Sequence, residues 1–288
     1  EDNFKIGIID LPAFYIDFNA WRDRDPDFRS SSKDVENILN QFKLANVDAV
    51  IVDLRGNSGG SLYEANKLTG LFVSSGPTLQ VKESNGDIRP WGDARATQVW
   101  KKPMAVMIDR YSASASEIFA GAIQDYQRGL IIGHKTFGKG TVQQLDDLTS
   151  GQLKLTESKF YRVTGSGMQN RGVEPDITLP STWDIEESGE SSLDSALPWD
   201  QITPTSFRKF KINQLGSPSK YASIGYDQSI YLAYSLMTYG IDFSSLLPGG
   251  IYQGIRNRVH LKPDPNGNIT NYGIFFYKHY SDYTELVE

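Results

Sequence analysis

Three short apolar runs, each followed at once by a loop rich in glycine or serine, constrain the fold of this 288-residue chain more than any other feature. The runs lie within VDAVIVDLR at 47–55, MAVMID at 104–109 and GLIIG at 129–133. Uninterrupted runs of this kind are typical of strands that are covered on both faces. A helix pattern at 112–127 separates the last two runs, so the sequence predicts a βαβ unit and an α/β fold.

Further patterns add a β-rich part to this core. Residues 4–9 and 151–163 are predicted strands, and residues 33–45 show the i, i+3, i+4, i+7 spacing of a helix with one buried face. Asn85-Gly86 lies between two strand-like arms, which is a strong hairpin signal. The PDPNGN stretch at 263–268 predicts the tip of another hairpin.

The character of the chain changes after about residue 204, where tyrosines become dense. We therefore expect a catalytic or binding core at 1–204 and a separate C-terminal region at 205–288, which is Tyr-rich and of mixed structure with a β-hairpin. No internal repeat is apparent in the sequence.

Composition excludes several kinds of function. The net charge of −6 argues against nucleic acid as the main partner, because such binders usually carry a basic patch. The absence of cysteine excludes disulfides, thiolate metal sites and a cysteine nucleophile, but does not fix the compartment. The chain shows no apolar run long enough to span a membrane and no signal peptide. Because it starts at Glu1 rather than Met, we expect any targeting segment to lie outside this chain.

The loops that follow the three apolar runs are where chemistry is expected. We call them the glycine loop (53–61), the serine loop (110–116) and the lysine loop (134–140). If the strands are parallel, the loops after them gather at one edge of the sheet, where ligands usually bind.

The serine loop offers Ser112, Ser114 and Ser116. Ser114 and Glu117 have S-x-x-E spacing, so one interpretation is that Ser114 only caps the following helix. The functional interpretation is that a serine at a helix start is well suited to acyl chemistry, since the next N–H, of Ala115, can stabilise an oxyanion.

A serine nucleophile needs a base, and two candidates fall in the lysine loop. His134 is one, although no further pattern supports it. Lys139, between Gly138 and Gly140, is the other; it must be desolvated to accept a proton at neutral pH, since its ordinary pKa is near 10.4. The alternative for Lys139 is an exposed loop lysine without a catalytic role.

The glycine loop lacks the Gly-Lys-Ser/Thr ending of a phosphate loop. It predicts either a tight turn or a second oxyanion donor from a glycine N–H. Asp125 lies eleven residues after Ser114, about 16 Å along one helix, so direct participation is not expected. We interpret it as a packing or charge-pair residue.

Taken together, the three loops resemble those of the C-terminal processing peptidases, also called tail-specific proteases. The resemblance is carried by VDAVIVDLRGNSGGSLYEA at 47–65, YSASASEIFAGAIQDY at 111–126 and IIGHKTFGKGTVQQ at 131–144, with weaker support from GVEPDI at 172–177 and ALPWD at 196–200. It covers about 4–204 and implies an α/β, crotonase-like core. We expect no PDZ domain within this chain, although family members usually carry one before the core.

The resemblance also implies roles for individual residues. It makes Ser114 the nucleophile, Lys139 the general base and Gln143, four residues later, the group that orients the lysine. The oxyanion donors are then Ala115 and Gly60, with Gly59 as the alternative to Gly60. Asp125 takes a supporting role, and no metal or organic cofactor is implied.

The function implied is a serine endopeptidase that cleaves proteins near unstructured, apolar C-termini. A periplasmic or cell-envelope location and, for some members, a helical-repeat lipoprotein adaptor are implied as well. Two alternatives remain open at this point. One is a catalytically silent peptide-binding module, which would be expected to lose Ser114, Lys139 or Gln143; the other is an acyl-CoA enzyme of the crotonase type, which would need neither Ser114 nor Lys139.

Overall fold

The structure, a computed structural model, describes residues 5–92, 98–179 and 188–210, together with the strands of 259–263, 269–274, 276–279 and 284–287. The chain divides into two compact units, one of Phe4–Ser217 and one that holds Pro218–Glu288 with the first three residues. In the described ranges no helix is long and apolar enough to cross a membrane.

The first unit contains, in chain order, β1 (Ile6–Asp10), α1 (Phe18–Arg22), α2 (Ser31–Leu44), β2 (Ala49–Asp53), α3 (Leu62–Gly70), β3 (Leu79–Glu83), β4 (Ile88–Trp91), β5 (Met104–Ile108), α4 (Ala115–Asp125), β6 (Leu130–Gly133), β7 (Thr141–Asp147), β8 (Gln152–Tyr161) and β9 (Ile177–Thr178). The strands form a five-stranded sheet in the order β1-β2-β5-β6-β9 and a four-stranded sheet in the order β4-β3-β8-β7.

Every pairing in the five-stranded sheet is parallel, which confirms the predicted α/β fold. All five residues of β5 and the first four of β2 are buried, as expected for strands covered on both faces. The glycine, serine and lysine loops follow β2, β5 and β6, so they meet at the carboxyl edge of this sheet.

Helix α4 is held in the core along its whole length. Ten of its eleven residues are buried, and the ring of Phe119 packs against the rings of Phe14 and Phe72, with centroid distances of 6.2 and 5.8 Å. Truncating such a buried aromatic side chain typically costs about 3–5 kcal/mol. The start of α4 is therefore a rigid platform for the serine loop.

The four-stranded sheet is antiparallel throughout. The predicted hairpin at Asn85-Gly86 is confirmed, because these residues connect β3 to β4. Strand β7, directly after the lysine loop, was not predicted. Its sequence TVQQLDD is largely polar and offers little hydrophobic periodicity, so its pairing with β8 decides its conformation.

In the second unit, β10 (Val259–Pro263) pairs antiparallel with β11 (Ile269–Ile274), and β12 (Phe276–His279) with β13 (Thr284–Val287). The predicted hairpin tip at 263–268 extends into residues outside those that the structure describes, although the two strands that flank it do pair.

Candidate active site

Ser114 stands apart from the other serines that begin helices in this chain. Ser30 and Ser61 cap α2 and α3 with extended backbones, and their hydroxyls accept N–H groups of the first helical turn. Ser114 occupies the same position before α4, but with φ +56° and ψ −111°. Non-glycine residues rarely adopt positive φ, and such strained conformations concentrate at functional sites. The backbone of Ser114 is therefore not that of an ordinary capping serine.

The neighbouring serines are structural. The Ser112 hydroxyl donates to Leu54 O at 2.8 Å, and the Ser116 hydroxyl donates to Asn57 O at 2.8 Å. Both side chains are fully buried, whereas Ser114 is only partly buried. These two bonds tie the serine loop to the glycine loop on either side of Ser114, and of these three serines Ser114 is the one that is not fully buried.

The buried carboxylate of Glu117 joins the serine loop to the lysine loop. Its Oε2 accepts the N–H groups of Ser114 at 2.8 Å and Lys139 at 2.9 Å. The two backbone nitrogens bonded to this one oxygen cannot be more than about 6 Å apart. Its Oε1 accepts the Gly138 N–H at 2.7 Å and the Thr136 hydroxyl at 2.6 Å.

Burial raises the pKa of Glu117 to about 7, while the four hydrogen bonds act in the opposite direction. The S-x-x-E spacing of Ser114 and Glu117 predicts that Glu117 takes part in a capping box. Glu117 also holds the serine loop and the lysine loop together. The S-x-x-E spacing predicts its bond to Ser114 but not its bonds to Gly138 and Lys139.

Lys139 lies at the end of the lysine loop and is partly buried. Desolvation lowers its pKa, with a further lowering by the positive charge of Lys154 and opposing effects of Glu190 and Glu117. In the described part of the chain its ammonium group forms no salt bridge. A partly desolvated lysine without a carboxylate partner is the kind of lysine that can act as a base.

Gly59 and Gly60 of the glycine loop differ in whether their N–H groups already have a hydrogen-bond partner. The Gly59 N–H donates to Asn57 Oδ1 at 2.9 Å, so it is already used. Gly60 is exposed, and its N–H has no hydrogen-bond partner among the described residues. Of the two glycines weighed from the sequence, Gly60 is thus the one with a donor to offer.

The glycine loop also lies directly against the serine. A Cβ atom added at Gly59 would come within 2.9 Å of Ser114 Cβ and 3.0 Å of the Ala115 nitrogen. Only glycine fits this approach, and its φ of +105° favours glycine as well. The Ala115 N–H, at the first position of α4, has no hydrogen-bond acceptor within the described ranges.

The remaining sequence candidates lie further out. Gln143 is exposed on β7, beside a bulge between Val142 and Gln143. The backbone N–H of His134 donates to Ile108 O at 3.1 Å, and its buried Nδ1 has no hydrogen-bond partner among the described residues. In the part of the chain that the structure describes, no contact links His134 to Ser114. The structure therefore gives no support to His134 as the base.

Asp125 lies at the other end of α4 from Ser114. It is buried and accepts two hydrogen bonds from Arg162 Nε at 3.1 Å, with a further bond from the same guanidinium group. These bonds connect α4 to the turn that follows β8.

Sequence reasoning missed three residues that hold the lysine loop, two through their side chains and one through its backbone N–H. Arg110 donates to Thr136 O, Gln169 Oε1 accepts the Gly140 N–H at 2.9 Å, and the Glu190 N–H donates to Phe137 O at 2.9 Å. None of the three lies within the lysine loop, and no local spacing links them to it. Only an alignment of related sequences or the structure itself could have found them.

Two protein-family models match this chain. The sequence model of peptidase family S41 matches residues 5–179, and that of the C-terminal domain of tail specific protease matches residues 183–220. The tail-specific protease of Haemophilus influenzae is 46% identical over 212 residues, which are 70% of this chain and 29% of that protein. The carboxy-terminal-processing protease of Bartonella bacilliformis is 36% identical over 155 residues, 53% of this chain and 35% of that protein.

Among solved structures, the photosystem II D1 C-terminal processing protease is similar with a TM-score of 0.50 and 28% identity, over 60% of this chain and 42% of that one. The chain spans about a third of the length of the two curated relatives.

Proposed function

Because the chain belongs to peptidase family S41, we propose that it is a serine endopeptidase in which Ser114 is the nucleophile and Lys139 the general base. The observation that carries the proposal is the shared acceptor: one oxygen of buried Glu117 receives the N–H groups of both residues. A carboxylate in that position keeps the two catalytic loops together before any substrate arrives.

In the proposed mechanism, neutral Lys139 takes the proton of the Ser114 hydroxyl as the oxygen attacks the scissile carbonyl. The N–H groups of Ala115 and Gly60 stabilise the oxyanion. Lys139 then gives the proton to the leaving amine, and water hydrolyses the acyl-enzyme by the same route. Among the described residues neither the Ala115 N–H nor the Gly60 N–H has a hydrogen-bond acceptor, which supports this assignment. Gln143 is proposed to orient Lys139 when substrate is bound, and Asp125 to hold α4 in place.

The proposed substrates are unfolded proteins or peptides with apolar C-termini. The similarity to tail-specific and carboxy-terminal-processing proteases supports cleavage near the C-terminus. We extend the proposal to a periplasmic or cell-envelope location and to a helical-repeat lipoprotein adaptor as a partner. Fractionation of cells that produce the protein from its own gene tests the location, and co-purification from the membrane fraction tests the adaptor.

The decisive experiment follows cleavage of an unfolded substrate with an apolar C-terminus by mass spectrometry. The parent protein is compared with Ser114→Ala, Lys139→Ala and Lys135→Ala. Lys135 is a matched control, because it lies on the same loop but pairs with the exposed Glu174 at 3.3 Å. We expect cleavage by the parent and Lys135→Ala only.

The same substrate with a charged C-terminus tests the specificity, and we expect it to be cleaved more slowly. Equal cleavage of the two substrates contradicts the preference for apolar tails. Binding of the peptide without cleavage by any of the four proteins identifies instead a peptide-binding module on the same fold.

A further inference from the structure

A segment at residues 188–210, which we call the strap, runs along the first unit and contacts the lysine loop at its beginning. Arg110, fully buried, donates through Nε to Ser188 O at 3.0 Å and also to Thr136 O in the lysine loop. The backbone N–H of Glu190 donates to Phe137 O at 2.9 Å. The start of the strap and the lysine loop are thus bound to each other and to one guanidinium group.

Two side chains continue this connection to the residue after Lys139. Gln169 Nε2 donates to Glu190 Oε1 at 2.9 Å, and Gln169 Oε1 accepts the Gly140 N–H at 2.9 Å. Gln169 is buried, so both ends of its amide depend on these partners. The neighbouring Asn170 N–H donates to Gly138 O at 2.8 Å. Both glycines that flank Lys139 are therefore held from the same side.

The strap also brings a negative charge to the lysine. The charged groups that act on Lys139 come from three elements: Lys154 on β8, Glu190 in the strap and Glu117 on α4. Glu117 is buried and already accepts four hydrogen bonds. The positive charge of Lys154 disfavours protonation of Lys139. Glu190 is partly buried, and it combines this charge with the hydrogen bond from Gln169.

We propose that Glu190 and Gln169 are positioning residues for Lys139, through which the strap holds the lysine loop in place and sets the charge beside the base. The proposal rests on the proposed function, since it takes Lys139 as the base. It gives the strap a role in the reaction in addition to its contribution to folding.

Two separable effects follow. The isosteric Glu190→Gln change keeps an oxygen that can accept the Gln169 bond but removes the charge, so Lys139 should titrate at lower pH with the loop still in place.

Gln169→Ala removes the acceptor of the Gly140 N–H. The Gly140 amide should then exchange faster with solvent, and kcat should fall by at least about tenfold with little change in KM, because misplacing a catalytic group weakens the chemical step.

The test uses the full chain with lysine labelled with ¹³C at Cε, and the Lys139 resonance is assigned with Lys139→Arg. Its titration is compared in the parent, Glu190→Gln and Asp194→Asn, an exposed strap carboxylate that serves as the charge-matched control. Amide exchange at Gly140 is compared in the parent and Gln169→Ala, and cleavage kinetics are measured for all variants.

A lower Lys139 titration in Glu190→Gln alone, with faster Gly140 exchange in Gln169→Ala, supports the proposal. The same Lys139 titration in the parent and Glu190→Gln overturns it, as does an equal shift in Asp194→Asn. If Gln169→Ala does not fold, the Glu190→Gln titration decides. The titration of Lys139 can be measured without turnover. If the parent cleaves no substrate, the proposed function is contradicted, but the effect of Glu190 on Lys139 can still be measured.

Discussion

At the scale of single residues, the backbone of Ser114 is the clearest departure from ordinary structure in the site. Its φ of +56° and ψ of −111° lie in a region that glycine tolerates far better than serine. The bonds of Ser112, Ser116 and Glu117 surround it and hold it in that conformation. Strain of this kind costs on the order of 1–3 kcal/mol.

Replacement of Ser114 therefore has an effect on stability that depends on the new residue. We expect Ser114→Gly to be more stable than Ser114→Ala by about 1 kcal/mol, because glycine relieves the strain and this gain exceeds its greater freedom in the unfolded chain. Urea unfolding of both inactive variants measures the difference. An alanine variant as stable as the glycine variant would contradict a strained serine.

Glu117 and Lys139 together predict the dependence of activity on pH. Lys139 must lose its proton to act as a base, and burial lowers its pKa. Glu117 must be ionised to accept all four of its donors, because a proton on either oxygen takes the place of one of them. Burial raises its pKa to about 7. Both protons must be absent in the active form, so activity should rise with pH.

We expect log kcat/KM to fall as the pH is lowered and to reach a slope of about two where both groups become protonated. The residual activity of Glu117→Gln should depend on Lys139 and show a slope near one. Initial rates between pH 4 and 9 provide the measurement. Activity that stays flat down to pH 4 would remove Lys139 from the role of base.

At the scale of elements, the site depends on three loops whose glycines permit close approach. Gly138 has φ +92°, and a Cβ atom there would lie 2.9 Å from the carbonyl carbon of Asn170. Gly151, in the turn between β7 and β8, has nearly the same φ of +88°, but no atom lies within 4 Å of such a Cβ. A comparison of these two positions therefore separates the destabilisation caused by positive φ from the destabilisation caused by steric crowding of the added Cβ.

Alanine at each of the two positions tests this difference. Both changes should lower the free energy of unfolding by about 1–2 kcal/mol through the backbone conformation. Gly138→Ala should cost more, because the contacted atoms are backbone, and it should reduce cleavage by displacing Lys139. Gly151→Ala should keep parental activity. Denaturant unfolding and initial rates report both effects, and equal behaviour of the two variants would show that close packing at Gly138 is unimportant.

At the scale of the whole molecule, the strap binds distant parts of the first unit. The Trp199 indole donates to Gly167 O at 3.0 Å, and Asp200 accepts hydrogen bonds from Lys159 at 2.6 Å and the Tyr161 hydroxyl at 3.0 Å. The ring of Phe207 packs on Tyr126 at a centroid distance of 5.3 Å. These contacts continue through Phe210, whose N–H donates to Tyr126 O at 2.7 Å.

The division of the chain into a core and a C-terminal region remains a proposal, and truncation tests it. A chain that ends at Ser217 keeps the strap and should unfold cooperatively, with a stability close to that of the first unit in the parent. A chain that ends at Glu187 loses the strap and should be several kcal/mol less stable. Thermal unfolding followed by circular dichroism distinguishes them. Equal stability of the two chains would contradict a structural role of the strap.

The sequence by itself determined the α/β class, the three loops at one sheet edge and the family, because these follow from runs of apolar residues and short motifs that are local in the chain. It also identified Ser114 and Lys139 as candidates by residue type and order. It left open whether Ser114 only caps a helix and whether Gly59 or Gly60 offers the second N–H.

Only the tertiary structure decided the hydrogen bonds and backbone conformations that bear on such questions, because these depend on contacts between residues far apart in sequence. The Gly59 N–H is occupied by Asn57, and the backbone of Ser114 at the start of α4 has a positive φ, unlike the backbones of Ser30 and Ser61. The largely polar strand β7 is defined by its pairing with β8. Glu117, Gln169 and Glu190 meet around the lysine loop from three separate segments, and no local pattern predicts such a meeting.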